Sequence, residues 1–325
     1  MAKTVLLPLL ADGNFHSGQD LAKAIGVSRT AVWKQLAALE QLGVEVESVK
    51  GRGYRIPGGL DLLQELAVRG NLNQRANTLI GEFALHEVID STNAEIMRRL
   101  ELGEAGGLVC TAEQQTAGRG RRGRQWVSPY GRNLYVSLAW EFTQGAAALE
   151  GLSLAVGVAV AQALASCGLP GVQLKWPNDV LYGGAKLGGI LLEMVGDAAG
   201  VCHVVVGVGL NVNMPSGSAG EIDQIWTDVS TMAGADCPGR NVLLAALLNE
   251  LLPLVADYET TGFSVWREHW QSRDAYYGQS VILSAGSNVQ AGVAQGVDER
   301  GALLLDTAAG RQVIYGGEVS LRRTE

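Results

Sequence analysis

Apolar positions divide the chain into three stretches with different periods. In the first sixty residues the period is helical and then gives way to alternation. Ser17, with Asp20 three residues on, reads as a helix N-cap, and the helix it opens stops at Gly26. Ser28 opens a second helix in which Val32, Leu36 and Leu39 share one face, leaving Arg29, Thr30 and Lys34 on the outside. Residues 44–49 alternate like a strand, Lys50-Gly51-Arg52-Gly53 turns, and Tyr54-Arg55-Ile56 returns. Gly58-Gly59 and the polar stretch 71–77 read as a linker to the second region. There, strands are predicted at 83–89, 108–114, 134–140, 172–176, 189–194 and 204–208, with Ala- and Leu-rich helices at 146–167 and 241–259. Strands that follow one another without a crossover helix predict a mostly antiparallel or mixed sheet, an α+β arrangement. After Arg273 the helices stop, and β-rich runs at 280–283, 289–297, 302–305 and 312–315 predict a small barrel.

Composition narrows this picture. A chain of 325 residues with 47% apolar and 18% charged side chains is globular and long enough for two or three packed units. Its opening ten residues hold one Lys and a short apolar stretch broken by Pro8, too short for a signal peptide. No 18-residue apolar run follows, so the expectation is a cytoplasmic protein with no membrane partner. Cys110, Cys167, Cys202 and Cys237 form no C-x-x-C pair, which suggests ordinary thiols and no metal site. The net charge of -8 argues against indiscriminate nucleic-acid binding, yet residues 1–60 carry seven basic and five acidic side chains, a local net of +2. Helix, helix-turn-helix and hairpin in that order resemble a winged helix-turn-helix, with 28–42 as recognition helix and 50–55 as wing tip. Ser28, Arg29, Thr30, Lys34, Lys50 and Arg52 are its candidate DNA contacts. A small helical protein-interaction domain is the alternative for this segment.

The densest chemistry lies in Gly118-Arg119-Gly120-Arg121-Arg122-Gly123-Arg124-Gln125-Trp126, four guanidiniums among three glycines after a predicted strand. Glycine lets the backbone approach a ligand, and arginine supplies fixed forks for phosphate or carboxylate oxygens. The run also fits G-x-G-x-x-G, but 126–131 breaks any helix, so a dinucleotide fold is rejected; no Gly-Lys-Ser/Thr ends it, so it is no Walker A loop. A solvated basic loop is the bland alternative. Lys175-Trp176-Pro177-Asn178-Asp179 ends a strand in a turn, Lys186-Leu187-Gly188-Gly189-Ile190-Leu191 starts the next from the same end, and 207–213 leaves a buried strand through small residues and amides.

Together GRGRRGRQW, KWPND and KLGGIL, with STN at 91–93 and GGEVSLR at 316–322, resemble the biotin protein ligases. The leading winged domain resembles the bifunctional subgroup that also represses the biotin biosynthetic operon. That resemblance implies a winged helix-turn-helix over 1–62, a class II synthetase-like mixed-sheet catalytic domain over 63–272, and an SH3-like β-barrel over 273–325. It implies that Ser91, Thr92, Asn93, Gln115, Arg119, Gly120, Arg121 and Lys186 hold biotin and its activated carboxylate. The nucleotide would fall to Arg122, Arg124, Lys175, Asn178, Asn211, Trp226 and Arg322, with Trp226 stacking on adenine and 214–226 loop-like. Gly188 departs from the family's expected Ala, a matter of local packing.

The implied chemistry needs ATP, biotin and Mg²⁺: the biotin carboxylate attacks the α-phosphorus, and a lysine of an apo biotin carboxyl carrier protein then attacks the mixed anhydride. Lys186, Arg121 and Asp179 are the candidate catalytic residues, Asp179 orienting or deprotonating the incoming amine. A further hypothesis is that loop 118–124 is mobile and orders over the adenylate. The adenylate-bound chain would pair as a homodimer on operator DNA. Rival functions are a lipoate ligase, a biotin-sensing transcription factor without turnover, and a biotin ligase without DNA binding.

Overall fold

The computed structural model describes all residues except 1–4, 105, 198–199, 216, 218–221, 223, 287, 318 and 325. Lys3, counted in the N-terminal charge, lies outside the described residues, as do the other three of the first four positions. At the N-terminus, Leu7–Leu10 (α1), Gly18–Ile25 (α2) and Arg29–Gln41 (α3) close over Leu6, Leu21, Val32, Leu36, Leu39 and Ile56. Both predicted caps form: the Ser17 hydroxyl accepts from Asp20 N at 3.1 Å and the Ser28 hydroxyl from Ala31 N at 3.2 Å. Glu47–Val49 (β1) and Gly53–Arg55 (β2) pair as an antiparallel hairpin. The first strand starts later than the alternation from 44 suggested, because Val44 N bonds back to Leu39 O at 3.0 Å and finishes the turn that closes α3.

The stretch 71–77 is no linker. Glu65–Gly70 (α4) and Gln74–Leu79 (α5) are helices there, and the polar residues that looked like spacer are caps. Asn73 accepts from Ala76 N at 2.8 Å, and its own N–H is held by the Asn249 side chain at 2.8 Å. Short helices built on capping carry little periodicity, which is why the pattern missed them.

The main sheet is built from Glu82–Ile89 (β3), Leu108–Gln115 (β4), Leu134–Phe142 (β5), Gln173–Lys175 (β6), Asp179–Tyr182 (β7), Ala185–Gly196 (β8) and Cys202–Leu210 (β9). Its order is β3-β4-β5-β9-β8-β7-β6, with β3 and β4 parallel and every other pair antiparallel, a mixed sheet as expected. The strand β7 was not foreseen: Val180 and Leu181 are its only buried residues, too few to show a period. Thr92–Glu101 (α6) covers one face, and Leu152–Ser166 (α7) with Arg240–Thr261 (α9) covers the other; Val229–Ala233 (α8) and Ser264–Gln271 (α10) are shorter.

Side chains along a strand alternate between faces, and that assigns each residue its role. Val204, Val206 and Val208 of β9, with Val136 and Leu138 of β5, join α7 and α9 in the large core. Val205 and Ala139 turn to the other face and pack under Ile96 and Leu100 of α6. Beyond α6 that second face carries Ser137, Gly189, Leu191, Gly207 and Gly209 and is left open as a cleft. Among the described residues, α9 is the helix long and apolar enough to cross a membrane, but here Leu244, Leu248, Leu251 and Leu252 bury it in the core.

Ser280–Ala285 (β10), Asn288–Val297 (β11), Leu303–Thr307 (β12), Gly310–Ile314 (β13) and Val319–Arg323 (β14) make an antiparallel sheet of order β13-β12-β11-β10-β14. Val281, Leu283, Ala294, Leu305 and Leu321 extend the large core into it.

Two junctions fix these parts together. Leu60, Leu62, Val88 and Tyr130 close the N-terminal core against the main sheet. Next to them, Arg240 and Glu113 form a buried ion pair at 2.7 Å, with side chains only 3% and 7% exposed. Glu113 also accepts from Leu63 N at 2.5 Å. Arg240 also donates to Asp61 O at 2.7 Å and to Asn133 O at 2.7 and 3.1 Å, so both charges are fully engaged.

Candidate functional site

The open face of the main sheet forms a cleft of about 580 Å³. All sixteen residues proposed from the sequence for ligand binding or chemistry line it: Ser91, Thr92, Asn93, Gln115, Arg119, Gly120, Arg121, Arg122, Arg124, Lys175, Asn178, Asp179, Lys186, Asn211, Trp226 and Arg322. They come from the start of α6, the end of β4, the glycine–arginine loop, the β6–β7 turn, β8, the residue after β9, the Trp226 segment and β14, segments far apart in the chain.

At one end the residues are polar and mostly uncharged. Ser91 caps α6, and Gln115 at the end of β4 accepts from Thr92 N at 2.9 Å and from the Thr92 hydroxyl at 3.1 Å. Ser137, on the cleft face of β5, donates toward Thr92 Oγ1 at 2.7 Å and also lies against Asn93 Oδ1. Asn93 lies so close to β9 that a Cβ on Gly207 would fall 2.2 Å from its Oδ1. This end offers a matched set of donors and acceptors suited to a neutral amide-like ring.

At the other end the charges are concentrated. The Asp179 carboxylate takes Lys186 Nζ at 2.7 Å and Lys175 Nζ at 3.1 Å. Burial alone raises its pKa, but the Lys186 ammonium and then that of Lys175 outweigh burial and hold it below the usual carboxylate range. Arg121 donates to Asn178 Oδ1 at 3.0 Å and to the Gly317 carbonyl of the C-terminal sheet. Asn178 is in turn held by Ile190 O at 2.7 Å. Lys186 exchanges backbone hydrogen bonds with Ile225 and Thr227, at 3.0 and 2.9 Å, which sets Trp226 beside it. Asn211 donates to Thr227 O at 3.1 Å and steadies the same segment. Residues 216, 218–221 and 223, inside the segment expected to be loop-like, lie outside the described residues.

Between the two ends runs the glycine–arginine loop, with Arg122 in the left-handed region at φ 61° and Arg122 and Arg124 exposed. A 3-10 turn over Arg121–Gly123, with no α-helix following it, agrees with rejecting a dinucleotide fold. Trp126 at the loop's end lies flat on β8 and β9: a Cβ on Gly209 would stand 2.6 Å from its ring. Lys186 Nζ sits 5.5 Å over that ring. At Gly188, a Cβ would meet Gly209 O at 2.8 Å, so the residue the sequence carries suits its close strand neighbour.

The local motifs give no role to Trp126 and Ser137, which line the cleft, or to Glu193, which bonds two of its lining side chains. Trp126 was inside a quoted motif but given no role, and Ser137 was hidden in an apolar strand. Glu193 is one acid in the run after KLGGIL, and alternation from Gly189 through Leu191 places it on the cleft face, a signal the sequence does contain.

The six N-terminal candidates form a second, unrelated surface. Ser28, Arg29, Thr30 and Lys34 are exposed on α3, and Lys50 and Arg52 are exposed at the hairpin tip. Arg52 and Arg55 both stack on Phe15, 4.1 and 4.5 Å from its centroid. Trp33, unassigned from the sequence, is 64% exposed between Thr30 and Lys34. All four cysteines are free thiols, and burial pushes Cys110 up to about 12.

The same motifs recur in known proteins. Residues 85–211 match the Biotin/lipoate A/B protein ligase family, 2–55 an HTH domain, and 276–322 the Biotin protein ligase C terminal domain. The Bifunctional ligase/repressor BirA of Escherichia coli (strain K12) is 39% identical over 98% of this chain and 97% of its own length. The chain belongs to the biotin protein ligase family. It is a biotin protein ligase that carries a helix-turn-helix domain, the organisation of the bifunctional members. The Biotin--[acetyl-CoA-carboxylase] ligase of Paracoccus denitrificans is 40% identical over 71% of this chain and 96% of its own. Among solved structures, the biotin protein ligase of Aquifex aeolicus in complex with biotin and ATP aligns with a TM-score of 0.63 and 30% identity, covering 75% of this chain and 100% of that one.

Proposed function

We propose that the cleft activates biotin as biotinyl-5'-AMP and passes it to a lysine of the biotin carboxyl carrier protein of acetyl-CoA carboxylase. The observation that carries this is the convergence of the sixteen candidate residues on one cleft, with an uncharged polar end and a cationic end joined by the arginine loop. Biotin's ureido ring suits the end built by Ser91, Thr92, Asn93 and Gln115, which places its carboxylate toward Arg119, Gly120, Arg121 and Lys186. Arg122, Arg124, Lys175, Asn178, Asn211, Trp226 and Arg322 take the nucleotide, Trp226 against the adenine.

In the first step a carboxylate oxygen of biotin bonds to the α-phosphorus of ATP and pyrophosphate leaves. Arg121 and Lys186 offset the charge that gathers on the phosphate oxygens, and are already fixed by Asn178 and Asp179 before any ligand arrives. In the second step the acceptor amine bonds to the acyl carbon and AMP leaves. Asp179, kept ionised by its two lysines, orients that amine or takes its proton. Mg²⁺ would come with the nucleotide and neutralise phosphate charge. Among the described residues no three His, Cys, Asp or Glu side chains are grouped to cage it, which suits an ion carried mainly by phosphates.

The N-terminal unit is proposed as a winged helix-turn-helix over 1–62 that binds operator DNA of biotin biosynthesis genes as a homodimer when the adenylate is bound. The catalytic unit, class II synthetase-like, is assigned to 63–272 and an SH3-like barrel to 273–325. Exposed Arg29, Lys34, Lys50 and Arg52 support the DNA reading. The test is incubation with ATP, Mg²⁺, biotin and an apo carrier domain, read by intact mass. Biotinylation by the wild type and its loss in Arg121→Ala are expected; bound biotin without transfer would favour a sensor.

A further inference from the structure

Glu193 belongs to none of the motifs and has no part in the two steps above, yet its carboxylate touches both walls of the uncharged end. One oxygen, Oε2, accepts from Asn93 Nδ2 at 2.8 Å and from Arg119 Nη2 at 2.9 Å. Asn93 belongs to the first turn of α6, and Arg119 to the glycine–arginine loop. Glu193 itself stands on β8, paired with Val205 of β9, and on the same face as Gly189 and Leu191. A carboxylate on a sheet strand thus clamps the helix start and the loop together.

We infer that Glu193 is a positioning residue that sets the biotin end of the cleft before ligand arrives. Two consequences follow from the bonding. By taking the Asn93 amide N–H, Glu193 fixes which way that amide faces, leaving Oδ1 toward Ser137 and β9. By taking Arg119, it ties down the near end of the loop, whose middle is held through Arg121 by Asn178 and Gly317. Of the two tethers the Arg119 one is the weaker and more readily exchanged, because the Arg119 side chain is 41% exposed and that of Glu193 22%. Glu193 therefore governs how well the loop end is held for the first ligand to bind, while Arg121, Lys186 and Asp179 keep their places at the reacting end.

The inference rests on the uncharged end being the biotin site. Steady-state kinetics on the full chain would measure Glu193→Ala and Glu193→Gln for biotin and for ATP separately, alongside hydrogen exchange of 118–124 without ligand. Glu193→Ala is expected to raise the KM for biotin about tenfold with kcat within about twofold, the usual scale for a lost bond to a charged group. Glu193→Gln keeps an acceptor for Asn93 but not the charge facing Arg119, and is expected to raise it less. Exchange in 118–124 should quicken in both variants, and Arg119→Ala should quicken it little further on top of Glu193→Ala, because the two remove one tether. An unchanged biotin KM in both variants, or additive effects of Glu193→Ala and Arg119→Ala on exchange in 118–124, would overturn it. If the wild type fails to use biotin, the functional reading falls, and the exchange measurement still decides whether Glu193 holds the loop.

Discussion

The cleft and the outer face of α3 both carry clustered cations, and they treat them in opposite ways. In the cleft four cations are committed in advance, Lys175 and Lys186 to Asp179, Arg119 to Glu193, Arg121 to Asn178 and Gly317, while Arg122 and Arg124 stay exposed on the loop. On the N-terminal unit, Arg29, Lys34 and Lys50 are exposed and enter no ion pair among the described residues. Chemistry on one small molecule needs groups aimed before binding, because reorganising them in the transition state is costly. Attraction to a phosphate backbone needs charge that is available, and long mobile side chains supply it at the cost of sensitivity to salt.

The largest effect that would break this contrast lies at the junction of the two regions. Glu113→Ala leaves the buried Arg240 guanidinium unpaired and frees Leu63 N, so a loss of about 3–5 kcal/mol in unfolding stability is expected by denaturant titration. A small loss would mean that the junction does not hold the two regions as one body. Next is Lys186→Ala, which should lower adenylation about 10²–10³-fold. Its DNA affinity without ligand should be unchanged, since Lys186 is not on the α3 side.

A third prediction concerns pH. Burial raises the Asp274 carboxyl to about 6, against backbone N–H groups of Tyr276 and Tyr277 that pull it down. A raised carboxylate pKa means stability that is full below the unfolded value near 3.8 and lost as pH climbs through about 6. Across that window the folded protein should lose about 2–3 kcal/mol through this group, and Asp274→Asn should flatten that part of a thermal-melt profile. The smallest effects belong to α3. Lys34→Ala should weaken DNA binding similarly on all sequences and reduce the salt slope by about 0.9, read by anisotropy from low to high salt. Trp33→Ala, lacking charge, should leave that slope alone.

The legibility of the two regions differs for the same reason. The cleft was readable because its contacts come from short dense motifs, GRGRRGRQW, KWPND, KLGGIL and STN, each carrying several ligand-facing side chains. Its supports were not: Glu193 reaches Asn93 across 100 residues and Arg119 across 74, and Glu113 meets Arg240 across 127. Such pairings have no local period. In the first sixty residues the helices were readable from caps and i+4 spacing, but exposure was not, so Trp33 was passed over. The helices α4 and α5 were read as a linker because capping asparagines resemble spacer residues when their partner, Asn249 of α9, is far along the chain.

The most direct test of the central claim is exchange of labelled pyrophosphate into ATP by the purified chain, with biotin, with lipoate or with neither, in the wild type and in Lys186→Ala. The account predicts exchange that requires biotin, is absent with lipoate, and falls about a hundredfold or more in the variant. Exchange that proceeds equally with lipoate, or that survives the loss of Lys186, would contradict it.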